Sequence, residues 1–190
     1  MTVDRTFVVV EGTVKMAKDC IRLRRPTEDD VEKFLAWSHD EELGDLTGWE
    51  YPDEEEKIRD WLFNKTHNRD RRFLVIEYNA HPIGDIELCN IAWRSGHAEL
   101  KVCIAEKQYW NKGLGTRAIN MVLEEAFEHL GLEEVYLRVY GKNQRAVRAY
   151  GKVGFTIKGF LRRKDPDWQE IWLMSLTKAR FREMKRQASA

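Results

Sequence analysis

A turn with two glycines has the residue types of a phosphate-binding loop. The segment Trp110-Asn111-Lys112-Gly113-Leu114-Gly115-Thr116 follows a predicted strand and opens a predicted helix. The first N–H groups of a helix have no partner within it, and with the helix dipole they attract an anion such as a pyrophosphate. Glycines at 113 and 115 would let the backbone approach that anion closely. Glycines are also common in ordinary turns between a strand and a helix, so the turn alone leaves both a phosphate-binding and a purely structural interpretation open.

A second segment, residues 143–155, predicts a short helix that ends at a glycine. Asn143 is a favourable N-cap residue. Apolar side chains then recur at helical spacing, which predicts that one face of the helix is buried. The residues on that face are Ala146, Val147, Tyr150 and Val153.

The elements that would position these segments alternate between strands and helices. Thr27, followed by Asp30 three residues later, predicts the start of a first helix through a capping-box-like pattern. Residues 40–56 carry glycines and a proline among many acids, and we predict a loop there between two helices. Alternation predicts strands near residues 21–24, 72–78, 83–91, 98–105, 135–140, 155–162 and 170–176.

These segments resemble the GNAT acetyltransferase superfamily. The turn resembles its acetyl-CoA motif Q/R-x-x-G-x-G/A, although Trp110 stands where the family has Gln or Arg. Residues 143–155 match the pattern N-x-x-A-x-x-x-Y-x-x-x-G-F at every named position. The resemblance covers roughly residues 20–177. It implies a single GNAT-like domain of the α/β (α+β) class, with a mixed, mostly antiparallel sheet flanked by helices.

The resemblance implies acetyl-CoA as cosubstrate and direct attack of an amine on the thioester. Main-chain N–H groups near Cys103 and Ile104 are expected to hold the pantetheine and polarise the carbonyl. Cys103 lies mid-strand with no histidine near it in sequence, which favours a small core residue over a nucleophile. The expected cofactor-binding residues are Cys103, Ile104, Asn111, Lys112, Gly113, Leu114, Gly115, Thr116 and Asn143.

Two residues are expected to carry the proton transfers. Tyr150 matches the tyrosine that faces the coenzyme sulfur in the family, and a phenol with a pKa of about 10 can protonate a departing thiolate. The alternative is a core tyrosine. Glu99 resembles the strand glutamate that acts as general base in some members, and Glu87 on the adjacent strand is a substitute. The alternative for Glu99 is a solvent-facing, ion-paired glutamate.

The acceptor amine is indicated by residues 40–56, which hold nine acids and no Lys or Arg. With Trp49, Glu50 and Tyr51, this segment could attract and pack a polycation, and Glu87 is a further substrate-binding candidate. A solvated, helix-capping loop is the alternative for the segment. The run from 49 to 119 resembles bacterial spermidine N-acetyltransferases, and ribosomal-protein N-terminal acetyltransferases are similar almost as far. We expect a polyamine or another small cationic amine, with a peptide N-terminus or an aminoglycoside as alternatives.

A different class of function is a non-catalytic, coenzyme-A-binding sensor domain. The retained Tyr150 and Asn143 argue against it, because a domain without turnover would be free to lose them. A dinucleotide-binding domain is disfavoured, since the turn lacks the pattern G-x-G-x-x-G.

Composition excludes several partners. The 32 basic and 32 acidic side chains cancel, which disfavours binding to nucleic acid or a membrane surface. Three distant cysteines and five histidines without metal-ligand spacing predict a reduced cytoplasmic protein with no metal. A homo-oligomer is compatible with the sequence.

The expected domain boundaries follow from these motifs. Residues 20–178 would form the acetyltransferase domain. Residues 1–19 are an N-terminal extension that could add an edge strand, and residues 179–190 are a basic tail with the pattern of a solvated helical end.

Overall fold

The computed structural model describes residues 19–48, 51–164 and 168–188. Apart from Asp19, the predicted N-terminal extension lies outside the described residues, as do the acceptor-site candidates Trp49 and Glu50. The elements are β1 (Ile21–Arg24), α1 (Val31–Ser38), α2 (Glu41–Thr47), α3 (Glu55–Thr66), β2 (Arg72–Tyr78), β3 (His81–Ala92), β4 (His97–Ile104), α4 (Leu114–Glu124), β5 (Glu134–Tyr140), α5 (Gln144–Val153), β6 (Thr156–Lys164), β7 (Trp168–Thr177) and α6 (Lys178–Ala188).

The seven strands form one mixed sheet in the order β1-β2-β3-β4-β5-β7-β6. Neighbouring strands are antiparallel except β4 and β5, which run parallel. The parallel pairing joins only His97–Glu99 to Glu134–Tyr136. The mixed, mostly antiparallel sheet confirms the expected fold class. After Glu99, β4 continues to Ile104 without a partner on its β5 side in the described sheet, which leaves a gap between the two strands.

The helices cover both faces of the sheet. Val75 and Ile76 are consecutive in β2 yet belong to different buried clusters, as the alternation of a strand requires. Val75 lies in the cluster formed with α1, α2 and α3, which includes Phe34 and Cys103. Ile76 lies in the larger cluster formed with α4, α5 and α6. We call these the α1–α3 face and the α4–α6 face.

Residues 40–56 are not the loop that the sequence predicted, because α2 occupies Glu41–Thr47. The Asp40 carboxylate accepts hydrogen bonds from the backbone N–H groups of Glu42 and Leu43, at 3.1 and 3.4 Å. Leu43 is buried against the sheet. The helix ends at Gly48, whose φ of 68° lies in the left-handed region that glycine tolerates.

Two smaller expectations also need correction. The strand predicted near residues 83–91 begins earlier, because the turn before β3 consists of Asn79 and Ala80, with φ of 49° and 67°, and Pro82 lies inside the strand. The basic C-terminal segment forms α6, which is docked rather than solvated. Phe181 is buried with its ring 5.3 Å from that of Phe127.

No helix among residues 19–48, 51–164 and 168–188 is long and apolar enough to cross a membrane.

Candidate functional site

A cavity of about 370 Å³ lies at the gap between β4 and β5. Its walls come from the end of β4, the turn before α4, one face of α5 and the inner side of α2. Of the residues predicted from sequence, it collects Cys103, Ile104, Asn111, Gly113, Leu114, Gly115, Thr116, Asn143 and Tyr150. Lys112 belongs to the same turn, with its Nζ 5.4 Å from the centre of the Tyr109 ring.

The turn before α4 is shaped to receive a ligand. Gly113 adopts a φ of 76° at the N-cap of α4 and has no side chain to cap the helix. The first N–H groups of α4 therefore face the cavity without a side-chain acceptor. A Cβ added at Gly113 would meet nothing within 4 Å. The space in front of the helix is therefore open, and the glycine is required by its backbone conformation.

Trp110, the departure from the family motif, joins β4 to α5. Its indole N–H donates to the Ile104 carbonyl at 2.6 Å. The guanidinium carbon of Arg145 lies 3.4 Å from the centre of the Trp110 ring, within stacking distance. Sequence reasoning missed this contact because the two residues are distant along the chain and neither pattern refers to the other.

Basic side chains on α5 line the cavity and were also missed. Arg145, Arg148 and Lys152 recur at spacings of three and four residues, which puts them on one helix face. Arg148 and Lys152 are exposed, and neither forms an ion pair with another described residue. Their spacing was the signal that could have identified them. Free cations beside an uncapped helix N-terminus suit a ligand with several phosphates.

Tyr150 faces the cavity from α5. Its side chain is buried, and burial raises its pKa above the ordinary value of about 10, so the phenol holds its proton at neutral pH. Asn143 fixes the start of this helix by accepting from the backbone N–H of Ala146 at 3.1 Å. Its amide also donates to the Leu46 carbonyl at 3.0 Å, which ties α5 to α2.

Cys103 lines the cavity and is buried in the α1–α3 face. Burial, followed by the neighbouring Asp85 charge, raises the pKa of its thiol to about 12. The sulfur is therefore protonated at neutral pH and is a poor nucleophile, in keeping with the interpretation as a core residue.

The two predicted base residues are not at the cavity. Glu99 is 2% exposed, so the alternative of a solvent-facing glutamate is wrong. Its carboxylate accepts from Arg138 at 2.9 and 3.0 Å and from Asn90 at 3.0 Å. Glu87 is equally buried and pairs with Lys65 and Arg71, each at 2.6 Å. Neither carboxylate lines the cavity wall.

Metal binding has no support in the described part of the chain. Residues 19–48, 51–164 and 168–188 contain no cluster of three or more His, Cys, Asp or Glu side chains that could hold a metal ion.

Comparison with known proteins agrees with this fold. Residues 21–156 match the family described as an acetyltransferase (GNAT) domain, and the chain belongs to this family. The crystal structure of spermidine N-acetyltransferase from Vibrio cholerae in complex with CoA and spermine has the same fold. Its TM-score is 0.78 at 23% sequence identity, and the match covers 85% of this chain and 97% of that chain.

Curated relatives match over shorter or more divergent stretches. The spermidine N(1)-acetyltransferase of Escherichia coli (strain K12) is 34% identical over 101 residues, which are 53% of this chain and 54% of the relative. The N-acetyltransferase 9-like protein of Caenorhabditis elegans is 28% identical over 164 residues, covering 76% of this chain and 79% of the relative. The chain thus spans about half the length of the spermidine acetyltransferases it matches.

The Trp110 indole generates a prediction about stability. Trp110→Phe keeps a ring beside Arg145 but leaves the Ile104 carbonyl without its donor. We expect the free energy of unfolding to fall by about 1–2 kcal/mol, measured by urea titration. Trp93→Phe is the matched control, because its indole donates to Asp70 at an exposed position and should change stability by less than about 0.5 kcal/mol. Equal losses in both variants would contradict the proposed contribution of the Trp110 contact.

Proposed function

We propose that this chain is an acetyl-CoA-dependent N-acetyltransferase whose acceptor is a polyamine or another small cationic amine. One observation carries the proposal. The uncapped start of α4 and the protonated phenol of Tyr150 line the same cavity, at the gap where β4 and β5 separate. The first of these groups suits a pyrophosphate, and the second suits a leaving thiolate.

The residues of the cavity fit acetyl-CoA, the cosubstrate of GNAT acetyltransferases. The first N–H groups of α4 bind the pyrophosphate, and Arg148 and Lys152 neutralise phosphate charge. The part of β4 that has no β5 partner offers its main-chain groups at Cys103 and Ile104 to the pantetheine. Of these donors, the first N–H groups of α4 have no side-chain cap, and Arg148 and Lys152 form no ion pair with another described residue.

Acetyl transfer needs two proton movements. The amine must lose a proton to expose the lone pair that attacks the thioester carbonyl, and the carbon–sulfur bond then breaks. Tyr150 donates its phenolic proton to the departing thiolate, and the proton released from nitrogen restores the phenol, directly or through water. Burial of Tyr150 supports the acid role, because it keeps the phenol protonated until the thiolate develops.

A cationic acceptor is supported by the spermidine acetyltransferase relatives more than by the acidic segment. Several acids of residues 40–56 already have partners in the structure. Lys107 pairs with Asp40 and Glu42 at 2.9 and 2.6 Å. Lys57 pairs with Glu54 at 2.5 Å. These contacts leave part of the negative charge for a substrate, and the acceptor class therefore rests on the resemblance.

The direct test is release of free thiol from acetyl-CoA in the presence of spermidine, spermine, an aminoglycoside or an alanine-starting peptide. We expect turnover with the polyamines, identified by mass spectrometry of the acetylated product. Turnover with the peptide alone would keep the acetyltransferase and reject the polyamine acceptor. Coenzyme A binding without turnover on any amine would favour the sensor domain.

Tyr150→Phe removes the proton donor and keeps the packing. We expect kcat to fall roughly a hundredfold, which is typical for loss of a general acid. The Kd for coenzyme A, measured by calorimetry, should stay within about twofold, because the lost group acts on the transition state. Tyr78→Phe, at a tyrosine of β2 that does not line the cavity, is the control. An unchanged kcat in Tyr150→Phe would remove the acid role.

The cations of α5 generate a second prediction. Arg148→Ala with Lys152→Ala should raise the Kd for coenzyme A by about tenfold or more, because charge-assisted contacts to phosphate are lost. The effect should shrink at high salt, which screens exposed charges. The double variant Arg162→Ala with Arg186→Ala removes the same charge from exposed positions outside the cavity and should leave the Kd unchanged. A similar loss in both double variants would indicate a general effect of net charge.

A further inference from the structure

Asp85 differs from the other buried carboxylates of the described chain. The other four have basic partners at 2.6–2.9 Å: Asp30, Glu77, Glu87 and Glu99. Asp85 is 3% exposed and forms no ion pair with a described residue. It accepts a hydrogen bond from the phenol of Tyr51 instead. A buried carboxylate without a paired cation is costly to ionise, which makes it ready to accept a proton.

The position of Asp85 connects it to the cavity. It lies on β3 directly opposite Cys103 of β4, so both side chains point to the α1–α3 face. Cys103 is a wall residue of the cavity. The cavity is lined by α4 and α5 from one face of the sheet and by Leu43, Leu46 and Thr47 of α2 from the other. It therefore passes through the gap between β4 and β5 and reaches the face that carries Asp85.

We propose that Asp85, held by the Tyr51 phenol, is the general base that takes the proton from the attacking ammonium. This assignment rests on the proposed acetyl transfer. The acetyl-CoA contacts and Tyr150 lie on the α4–α6 side of the gap, so an amine that attacks from the opposite side arrives beside Asp85 and Cys103. The base and the acid then flank the thioester from opposite faces of the sheet.

The proton balance is simple. One N–H bond of the ammonium breaks and its proton passes to Asp85, either directly or with Tyr51 as relay. In the relay, the Tyr51 hydroxyl accepts the proton from nitrogen and gives its own to Asp85. The neutral amine forms the C–N bond, and the carbon–sulfur bond breaks as Tyr150 gives its proton to the leaving thiolate. The second proton that nitrogen then releases restores the Tyr150 phenol, directly or through water. Asp85 returns its proton to solvent after the product departs.

The titration of Asp85 suits this task. Burial raises the pKa of Asp85 to about 7, and the Tyr51 hydrogen bond is the largest opposing effect. A base with a pKa of about 7 is about half ionised at neutrality, is mostly ionised above it, and still accepts a proton readily. The titratable groups that face it are Tyr51 from the segment before α3, Lys65 from α3, Glu87 from β3, and Lys101 and Cys103 from β4.

Glu99 and Glu87 are less suited to the same step. Each already accepts hydrogen bonds from cationic side chains, which occupy the carboxylate oxygens that would have to meet the amine. They are better explained as buried partners of those cations. Asp85 does not itself line the cavity either, but it lies directly opposite the wall residue Cys103 and has no paired cation among the described residues.

Asp85→Asn tests the proposal, because the amide keeps the shape and can still accept from Tyr51. For wild type, kcat/KM with spermidine should rise through about pH 7 and then level. For Asp85→Asn it should be roughly a hundredfold lower at pH 7. It should continue to rise about tenfold per pH unit toward the amine pKa of about 10.4, because the variant must wait for amine deprotonated in solution. The Kd for coenzyme A should not change.

Tyr51→Phe supplies a second test, because this variant keeps the Asp85 carboxylate but changes its pKa. The lost hydrogen bond favoured the ionised carboxylate, so the pKa of Asp85 should rise in this variant. The acidic limb of the kcat/KM profile should move to higher pH, with the rate recovering once Asp85 is ionised. A merely structural role for Tyr51 would lower the profile at every pH without moving it.

Ionisation of Asp85 can be followed without turnover. The raised pKa means that the folded chain binds a proton which the unfolded chain has released above pH of about 3.9. Wild type should therefore lose stability relative to Asp85→Asn as the pH rises from about 4 to about 7. The two chains are compared by urea unfolding at each pH. A constant difference would show that Asp85 does not titrate there and would overturn the proposal.

The outcomes separate this proposal from the function on which it rests. If wild type transfers acetyl to no amine, the proposed function fails. If wild type is active and the kcat/KM of Asp85→Asn stays a constant fraction of the wild-type value across pH, the function stands and Asp85 is not the base. If Glu99→Gln, and not Asp85→Asn, produces the continuously rising profile, the base is Glu99. If kcat/KM keeps rising with pH in Asp85→Asn but levels in Glu99→Gln, Asp85 is supported as the base.

Discussion

The separation of β4 from β5 is the constraint on which the rest of the site depends. The two strands pair through three residues each, and β4 then runs on to Ile104 without a partner on that side. Main-chain donors and acceptors in the middle of a sheet need partners, so such a gap is stable when other groups or a ligand supply them. Trp110 supplies one, because its indole donates to the Ile104 carbonyl. The remaining length of β4 is available to a bound molecule.

Because the gap passes through the sheet, the cavity has one wall on each face. On the α4–α6 face the wall consists of a helix N-terminus and the cationic side of α5. On the α1–α3 face it consists of α2 and the residues beside Cys103. Asn143 connects the two walls, since one side chain caps α5 and donates to the Leu46 carbonyl at the end of α2. A shift of α2 therefore affects the helix that carries Tyr150.

The sequence predicted one wall much better than the other. The strand-turn-helix before α4 and the Asn143 cap are local, and their residue types are fixed by backbone conformation, so both were predicted at the correct residues. Helix α2 was missed because seven residues rich in acids have little helical stability of their own. Its stability comes from the Asp40 cap and from Leu43 packing in the core. The Trp110–Arg145 stack and the Asp85–Cys103 pairing join distant segments, and no periodic pattern encodes them.

The same difference explains why Glu99 attracted attention and Asp85 did not. A motif identifies a residue by its place in a strand, and Glu99 stands at the expected place. Its partner Arg138 is on β5, so only the assembled sheet reveals that both carboxylate oxygens accept hydrogen bonds from a cation. Asp85 stands in no motif, and its chemistry depends on what is absent around it, namely a cation within ion-pairing distance among the described residues. The turn and the helix cap at which we propose coenzyme contacts can thus be predicted from local patterns. The proposed proton acceptor depends on charge pairing across strands and requires the assembled structure.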